Sequence, residues 1–424
     1  MAMPQRLPGW PDAGPSRPPF ALYADAEVFA QEQQRVFRGP TWHFLAMEAQ
    51  LPEPGCFVQT RIGDTPILVT RESEDVIHAL VNRCAHRGAP LVLAESGRTP
   101  KLTCFHHHWC YALDGRLQSV TYERGQRGRG GMPAEFDKAA HGLQRLRVHR
   151  IAGLVFGTLS DAAPGFEAYA GPEMLANIRR VAGRAPMVVL GEIRQLVHAN
   201  WKLCVESARD VYHAVLLHRF NAVMKLDQPP MHGGGTTSGP GDAHYLGLVY
   251  GDLDPDGAVV ETSSGSEAED LSVFGKGLRD VEMVRVWDDH GDGVVVTIQS
   301  LFPGFIQKQR RNALSFGTVV PLAPDRTELR WVVFGYADDD AARRRGRLKQ
   351  ANMVGPAGLN ALDDALACTA IQRGIGARPE GHTTLRMGGE DTGPAPPTRA
   401  TEAPLRGFWA AWRALMEAPP VERS

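Results

Sequence analysis

The sequence predicts an α+β fold, with a small all-β domain inserted in a larger domain that has an antiparallel sheet flanked by helices. Two observations carry this prediction. Short β-rich runs broken by turns occupy residues 40–158, and longer strand and helix patterns fill residues 159–424. We expect residues 1–39 to form a segment that packs on the larger domain.

The N-terminal half has one helix pattern followed by several strand patterns. Asp25 is a plausible N-cap for an amphipathic helix over residues 25–37. The run "CFVQTRIGDTPILVT" predicts a hairpin with Gly63 and Asp64 at its tip, and "DVIHALVN" predicts a further strand. A helix is expected over residues 166–183.

The C-terminal half contains both strand patterns and helix patterns. "MVVLGEIRQLVHA" predicts a strand, and a helix begins near Asn200. Residues 229–242 predict a loop, after which the pattern stays weak to about residue 280. Strands are predicted for "VEMVRVW", "GVVVTIQSLF" and "TELRWVVFGYA", with the first two joined as a hairpin through "DDHGDG". Helices are expected around 340–375 and 403–417, and the last one carries an apolar stripe: Phe408, Trp412, Leu415 and Met416.

Composition excludes several classes of protein. The formal net charge is −2 over 424 residues with both signs interspersed, which gives no support for nucleic acid or an anionic membrane as the main partner. No apolar run reaches the roughly 20 residues that span a bilayer. The proline-rich N-terminus lacks the apolar core of a signal peptide, and 6 cysteines are too sparse for a disulfide scaffold. We therefore expect a cytoplasmic protein with reduced thiols.

Two short segments combine cysteine with histidine. Cys84 and His86 form C-x-H, and Cys104 is followed by histidines at 106, 107 and 108. Two thiolates and two imidazoles suit either zinc or an iron–sulfur centre. Each segment can supply one cysteine and one histidine as ligands, whereas a zinc finger groups its cysteines together. This split matches a [2Fe–2S] cluster with cysteines on one iron and histidines on the other.

A second group of candidate ligands follows Asn200. Asp210 and His213 are three residues apart, so on one helix face the carboxylate can accept a hydrogen bond from the imidazole. His213 and His218 are five apart, which is about 140° around an ideal helix. Both can face one metal only if the helix bends or ends between them.

The first group resembles the Rieske motif, C-x-H followed by C-x2-H. The resemblance implies that Cys84, His86, Cys104 and His107 bind a [2Fe–2S] cluster, and it leaves His106 and His108 out of phase. The stretch "NWKLCVESARDVYHAVLLH" resembles the mononuclear iron motif of Rieske ring-hydroxylating oxygenases, with Ser207 in place of the usual Asn. It implies that His213 and His218 bind Fe(II). The segment "GPAGLNALDDALACTAIQRG" resembles the family's carboxylate segment and implies Asp364 as third ligand, with Asp363 as the alternative.

The resemblance extends over nearly the whole chain and is closest to the terephthalate dioxygenase and salicylate 5-hydroxylase type of large subunit. It implies an enzyme that takes electrons from a ferredoxin or an NAD(P)H-dependent reductase and uses O2 to hydroxylate or cis-dihydroxylate an aromatic ring. It also implies a trimer of large subunits, with or without small β subunits, in which Asp210 links a cluster histidine of one subunit to His213 of its neighbour. The non-enzyme alternatives are a Rieske electron-transfer protein and a zinc-stabilised interaction protein.

The same resemblance indicates an aromatic carboxylic acid as substrate: salicylate, a phthalate isomer or a substituted benzoate. A buried carboxylate needs a cation, for which Arg399 and then Arg406 are the candidates. Terephthalate-type sequences align an arginine with Gly317, which favours a monocarboxylate here, although Arg310 and Arg311 are close in sequence. Nearness to the iron ligands suggests four apolar pocket residues: Val211, Leu216, Val223 and Met224. The runner-up activity is O-demethylation of a methoxylated aromatic acid.

Overall fold

The structure, a computed structural model, describes Trp10 and residues 14–223, 232–251, 280–283, 285–393 and 398–418. The chain divides into two units by its internal contacts. The small unit is Phe37–Ala163, and the large unit combines Met1–Val36 with Pro164–Ser424. Within the described parts of the chain, no helix is both long enough and apolar enough to cross a membrane.

The small unit is built from short antiparallel strands. They are β1 (His43–Met47), β2 (Cys56–Ile62), β3 (Thr65–Arg71), β4 (Ile77–Val81), β5 (Ser96–Arg98), β6 (Leu102–Thr103), β7 (Cys110–Tyr111), β8 (Leu117–Ser119), β9 (Arg147–Ile151) and β10 (Leu154–Thr158). They form sheets in the orders β1-β10-β9, β4-β3-β2-β5 and β6-β7-β8. Cys84, Cys104 and Tyr111 belong to the core that these strands enclose.

The large unit places helices around one antiparallel sheet. Its helices are α1 (Ala26–Glu32), α2 (Phe166–Ala170), α3 (Pro172–Ala182), α4 (Trp201–Ser207), α5 (Ala214–Leu217), α6 (Arg219–Val223), α7 (Ala341–Val354), α8 (Leu359–Ala377) and α9 (Ala403–Glu417). Its strands are β11 (Met187–Val197), β12 (His232–Ser238), β13 (His244–Tyr250), β14 (Val294–Leu301), β15 (Phe305–Arg310), β16 (Ala313–Ala323) and β17 (Arg326–Tyr336). The sheet order is β11-β17-β16-β15-β14-β13-β12.

Most predicted elements are confirmed. Asp25 caps α1 by accepting from the N–H groups of Glu27 (2.7 Å) and Val28 (3.0 Å), and the β2–β3 hairpin turns at Gly63 and Asp64. Strands β4, β11, β14 and β17 and the helices after residue 340 also lie where the patterns predict them.

The predicted loop over 229–242 is wrong for residues 232–238, which form β12, while 229–231 lie outside the described residues. The glycines of this segment indicate a loop in the sequence, but Gly235 allows a neighbouring side chain to approach the strand backbone closely. A Cβ atom at Gly235 would lie 2.6 Å from the Tyr245 ring on the neighbouring strand β13. The aromatic ring fills the space that a side chain would take, so glycine is compatible with this strand.

The predicted strand "VEMVRVW" and its hairpin are also wrong. Val281–Met283 form one turn of 3-10 helix, and Val284 lies outside the described residues. Side chains bond the backbone that follows: Asn312 Oδ1 accepts from the Trp287 N–H (3.1 Å), and Gln350 Nε2 donates to the Arg285 carbonyl (2.6 Å). These side chains take the place of a neighbouring strand.

A buried ionic group ties α1 to α4 and α9. Glu32 is fully buried and forms an ion pair with Lys202 Nζ (2.6 Å). The indole N–H groups of Trp201 (2.7 Å) and Trp412 (2.9 Å) donate to the same carboxylate. Because the two charges pair and the carboxylate also accepts two indole N–H bonds, their burial is tolerated, and α4 is tied to α1 and α9 ahead of the candidate ligands.

A second buried ionic group allows the contribution of such pairs to the stability of the large unit to be measured. Arg347 on α7 is fully buried and pairs with Asp289 (2.7 Å) and Asp339 (2.7 Å). Arg347→Gln leaves two carboxylates without their cation, so we expect a loss of about 3–5 kcal/mol and an apparent Tm roughly 10 °C lower by differential scanning fluorimetry. Arg344→Gln changes an exposed arginine on the same helix and serves as the control. Equal melting temperatures for the two variants would contradict the prediction.

Candidate metal centres

The candidate ligands of the large unit lie where the helix pattern is interrupted. Helix α4 ends at Ser207, and α5 begins only after His213 and ends before His218, whose ψ of 57° is not helical. The two histidines therefore flank one helical turn, which removes the separation of about 140° that a continuous helix imposes. The prediction that Asp210 and His213 share a helix face is wrong, because Asp210 lies in the turn between α4 and α5. Its Oδ1 accepts from the Tyr212 N–H (2.8 Å) and so fixes that turn.

Three side chains converge from α8 and the broken helix. His213 Nε2 lies 3.3 Å from Asp364 Oδ1, and His218 Nε2 lies 3.4 Å from the same oxygen. One ligand atom from each of the three residues lies within 4.8 Å of the others. Ligands about 2.1 Å from one ion at right angles are about 3 Å apart, so this spacing suits a single metal.

Each histidine has a second carboxylate behind it. Asp210 Oδ2 lies 3.3 Å from His213 Nδ1, and Asp363 Oδ2 lies 3.3 Å from His218 Nδ1. A carboxylate at Nδ1 keeps the proton there and turns the lone pair of Nε2 toward the metal. The two neighbouring aspartates thus have different positions: Asp364 faces both Nε2 atoms, and Asp363 lies behind His218.

The donor set fits a divalent cation. Asp364 Oδ1 is buried and has no donor in hydrogen-bonding geometry among the described residues. Burial favours the neutral form of this carboxyl, yet His213, Lys308 and His218 hold its pKa below the usual value. An anionic, unpartnered oxygen beside two imidazole lone pairs is what two histidines and one carboxylate offer to Fe(II).

A pocket opens beside Asp364, between the sheet and helices α4 and α8. It holds about 370 Å³ of empty space, part of it open to solvent. Its described lining is mostly apolar: Gln195, Val197, Cys204, Ser207, Ala208, Ile306, Lys308, Leu329, Trp331, Ala361, Asp364, Ala365 and Cys368. This apolar character suits the ring of a small aromatic molecule.

Of the predicted substrate contacts that the structure describes, none lines this pocket. Leu216 is 60% exposed, and Val211 is half-buried outside the lining. The side chain of Val223 and the whole of Met224 lie outside the described residues. The sequence patterns missed Lys308, although period-2 alternation on β15 places it on the same sheet face as Ile306.

The two arginines that are predicted to bind the substrate carboxylate differ in burial. Arg399 is exposed ahead of α9. Arg406 is buried, and its guanidinium donates to the carbonyls of Asp391 (2.7 Å), Leu385 (2.9 Å) and Met387 (3.2 Å). In this structure Arg406 braces the segment before α9, and its predicted role as a substrate anchor is not supported.

The two cysteine loops of the small unit share one backbone pattern. The Gly88 N–H donates to the Cys84 carbonyl (2.9 Å), and the His108 N–H donates to the Cys104 carbonyl (2.9 Å). Both of these donors are in the left-handed region, with φ of 78° for Gly88 and 54° for His108. His108 therefore occupies the conformation that a glycine takes in the first loop, which gives it a backbone role.

The cysteine and histidine side chains of these loops differ in burial. Cys84 and Cys104 are each 2% exposed, whereas His86 and His107 are exposed at the loop tips. The rings of His86 and His107 lie side by side, with centroids 4.7 Å apart. Two buried thiols below two adjacent imidazoles fit a cluster with one sulfur-bound iron inside and one nitrogen-bound iron near the surface.

Tyr111 reaches the first of these thiols. Its hydroxyl lies 3.3 Å from Cys84 Sγ and accepts from the Ala85 N–H (3.1 Å). Because Ala85 takes an acceptor position of the oxygen, the hydroxyl hydrogen is free to point at the sulfur. Burial and the Cys84 thiol raise the pKa of Tyr111, so the phenol stays protonated as a donor.

Comparison with known proteins places these sites in a family. Residues 41–128 match the Rieske [2Fe-2S] domain, and residues 176–418 match the ring-hydroxylating alpha subunit catalytic domain. The terminal oxygenase component subunit alpha 2 of terephthalate 1,2-dioxygenase from Comamonas sp is 39% identical over 96% of this chain and 97% of that one. The anthranilate 1,2-dioxygenase large subunit from Burkholderia cepacia is 36% identical over 95% and 93%.

A third relative and a solved structure are similar to this chain over nearly its whole length. The large oxygenase component of salicylate 5-hydroxylase from Ralstonia sp is 31% identical over 98% of this chain and 100% of that one. The structure of naphthalene 1,2-dioxygenase from Rhodococcus sp. bound to indole superimposes with a TM-score of 0.77, at 25% identity over 95% of both chains. The chain therefore belongs to the Rieske ring-hydroxylating oxygenase family, as the terminal-oxygenase alpha subunit that carries a [2Fe–2S] cluster and a mononuclear iron and uses O2.

Proposed function

We propose that this subunit hydroxylates or cis-dihydroxylates the ring of an aromatic carboxylic acid. The observation that carries the proposal is that three relatives of nearly full length are named for terephthalate, anthranilate and salicylate, which all bear a carboxylate on a benzene ring. The apolar pocket beside Asp364, with Lys308 in its lining, supports it. O-demethylation of a methoxylated acid, which is a monooxygenation, is the second candidate; relatives that match about half of the chain are named as monooxygenases, of glycine betaine.

We assign the cluster to Cys84, His86, Cys104 and His107, and the mononuclear iron to His213, His218 and Asp364. When bound, these metals supply electron transfer and O2 activation. The chain's own residues orient and protect the site. Asp210 and Asp363 hold the Nδ1 protons of the two histidines, and the apolar pocket walls keep water from the ring.

Electrons would come from a separate ferredoxin or NAD(P)H-dependent reductase, and the subunit would work as a trimer, with or without small β subunits. Exposed apolar side chains close to both centres support burial against another chain. Phe105 (58% exposed) is in the second cysteine loop, and Leu362 (55%) and Leu366 (70%) flank the two aspartates on α8. Light scattering on the purified subunit measures the oligomer directly.

Single-turnover oxidation tests the proposed reaction. The reduced, anaerobic holoenzyme is mixed with 18O2 and salicylate, benzoate, terephthalate or isophthalate, and cluster reoxidation and product mass are followed. We expect at least one acid to accelerate reoxidation and to gain one 18O as a hydroxylase product or two as a cis-dihydrodiol. Formaldehyde release from a methoxybenzoate, without oxygen in the ring, would favour the demethylase. Reoxidation that no acid accelerates would refute an aromatic acid as substrate.

The cluster assignment predicts a change in reduction potential for Tyr111→Phe. Loss of a hydrogen bond to the Cys84 thiolate removes stabilisation of the more negative, reduced cluster. A bond worth about 1 kcal/mol corresponds to a one-electron shift on the order of 50 mV toward more negative potential. Voltammetry of the intact protein measures it, with Tyr122→Phe, an exposed tyrosine of the same unit, as the control. Equal potentials in both variants would contradict a Tyr111 bond to the cluster.

A further inference from the structure

Three neighbouring strands bring a lysine and a tryptophan together across a glycine. In the antiparallel register, Ile306 on β15 lies opposite Gly317 on β16, and Gly317 lies opposite Trp331 on β17. A Cβ atom at Gly317 would lie only 2.5 Å from the Trp331 ring, so the indole occupies the space of the missing side chain. Lys308, two residues after Ile306 and on the same face, reaches the ring with Nζ 5.2 Å from its centroid.

Lys308 and Trp331 each carry a polar group that has no hydrogen-bonding or ionic partner among the described residues. Lys308 is half-buried, and no carboxylate of the described residues lies within 4.0 Å of its ammonium. Trp331 is 3% exposed, and its indole N–H has no acceptor among the described residues. A buried donor without a partner and a half-buried cation without a counter-charge are both costly, so an absent acceptor anion would relieve both.

The position of the pair relative to Asp364 favours a substrate anion. Lys308 and Trp331 share the pocket lining with Asp364, and Lys308 forms no ion pair with that carboxylate. In the described lining Lys308 is the one cation, which matches one carboxylate and not two. Apolar side chains of the lining, such as Ile306 and Leu329, remain to contact a ring.

We propose that Lys308 Nζ and the indole N–H of Trp331 bind the carboxylate of an aromatic monocarboxylic acid, with its ring in the pocket beside Asp364. This inference rests on the proposed function and names the residues that select its substrate. Gly317 has an indirect part: its missing side chain leaves room for the indole on which the lysine ammonium lies.

The test compares acids with neutral analogues on the holoenzyme. Dissociation constants for benzoate, salicylate and terephthalate, and for benzamide and salicylamide, are measured calorimetrically with wild type and Lys308→Met. We expect Lys308→Met to weaken benzoate or salicylate at least 10-fold, because a charged hydrogen bond is lost, and to change the amides less than about 3-fold. Lys308→Arg should recover part of the affinity, and Trp331→Phe, which keeps a ring but loses the N–H, should weaken the acids about 3- to 10-fold.

The outcomes separate the two proposals. Lys101→Met, an exposed lysine of the small unit, is the control for loss of a positive charge. If wild type oxidises an acid and Lys308→Met binds it unchanged, the carboxylate site is wrong while the proposed function stands. Equal weakening of acids and amides would mean a packing role and would also overturn the site, as would tighter binding of terephthalate than of benzoate. If wild type neither binds nor oxidises any acid, both proposals fail.

Discussion

Asp364→Ala is expected to remove the mononuclear iron and to abolish oxygenation, by a factor of about 10³ or more, while the visible spectrum of the cluster stays intact. Asp364 Oδ1 is the oxygen that both histidine Nε2 atoms approach, at 3.3 and 3.4 Å. Without it, two neutral imidazoles remain, which hold Fe(II) weakly. Iron analysis of the purified protein should fall from about three atoms per chain to about two, because the cluster contributes two. His213→Ala should behave in the same way.

Asp363→Ala is the matched control, because it removes the neighbouring carboxylate on the same helix. Asp363 Oδ2 lies 3.3 Å from Nδ1 of His218, the nitrogen that faces away from Asp364, so we expect iron to be retained at saturating Fe(II) with affinity lowered about 10- to 100-fold. Activity should then return as Fe(II) is added. The reverse result, with iron retained by Asp364→Ala and lost irreversibly from Asp363→Ala, would exchange the roles of the two aspartates.

The local sequence contains enough information to predict which residues converge. The five-residue spacing of His213 and His218 requires a helix that bends or ends between them, and in the structure α5 ends at Leu217, before His218. Spacing to Gln372 favours Asp364, and the structure gives the reason: Gln372 anchors α8 to α4 by accepting from the Asn200 N–H (2.8 Å) and donating to the Tyr23 carbonyl (3.1 Å). With that anchor set, Asp364 lies toward the histidines.

Long-range packing accounts for what the sequence patterns missed. Gly235 of β12 lies against the Tyr245 ring of the neighbouring strand β13, and a contact with another strand is not visible in a local pattern. The contact between Lys308 on β15 and Trp331 on β17 spans strand β16, where Gly317 leaves room for the indole. The two arginines are predicted from the chemistry of carboxylates and from their position at the start of the last helix, and neither criterion shows that Arg406 bonds backbone carbonyls.

Asp210→Asn is expected to retain both metals and yet to lower turnover by about 10² or more. Asn keeps the oxygen that accepts the Tyr212 N–H, so the turn before α5 should form as in wild type. The change removes the negative charge 3.3 Å from His213 Nδ1 and places an amide there. Asp210 is partly exposed, which leaves its carboxylate accessible to a neighbouring subunit, as the proposed electron route from a cluster histidine requires. Iron analysis and stopped-flow spectroscopy of the cluster measure the two parts separately.

The stopped-flow traces distinguish a role in electron transfer from a role in holding His213. If Asp210 links the centres, a chemical reductant should reduce the cluster of Asp210→Asn at the wild-type rate, and only its reoxidation by O2 with substrate should slow. The alternative result is that Asp210→Asn loses iron, that added Fe(II) restores it, and that the cluster is then reoxidised at the wild-type rate. Asp210 would then only orient His213, as Asp363 orients His218. Full turnover with iron retained would remove Asp210 from the electron route altogether. The decisive quantity is therefore the reoxidation rate per bound iron, because it stays low in Asp210→Asn only if the carboxylate carries the link between the two centres.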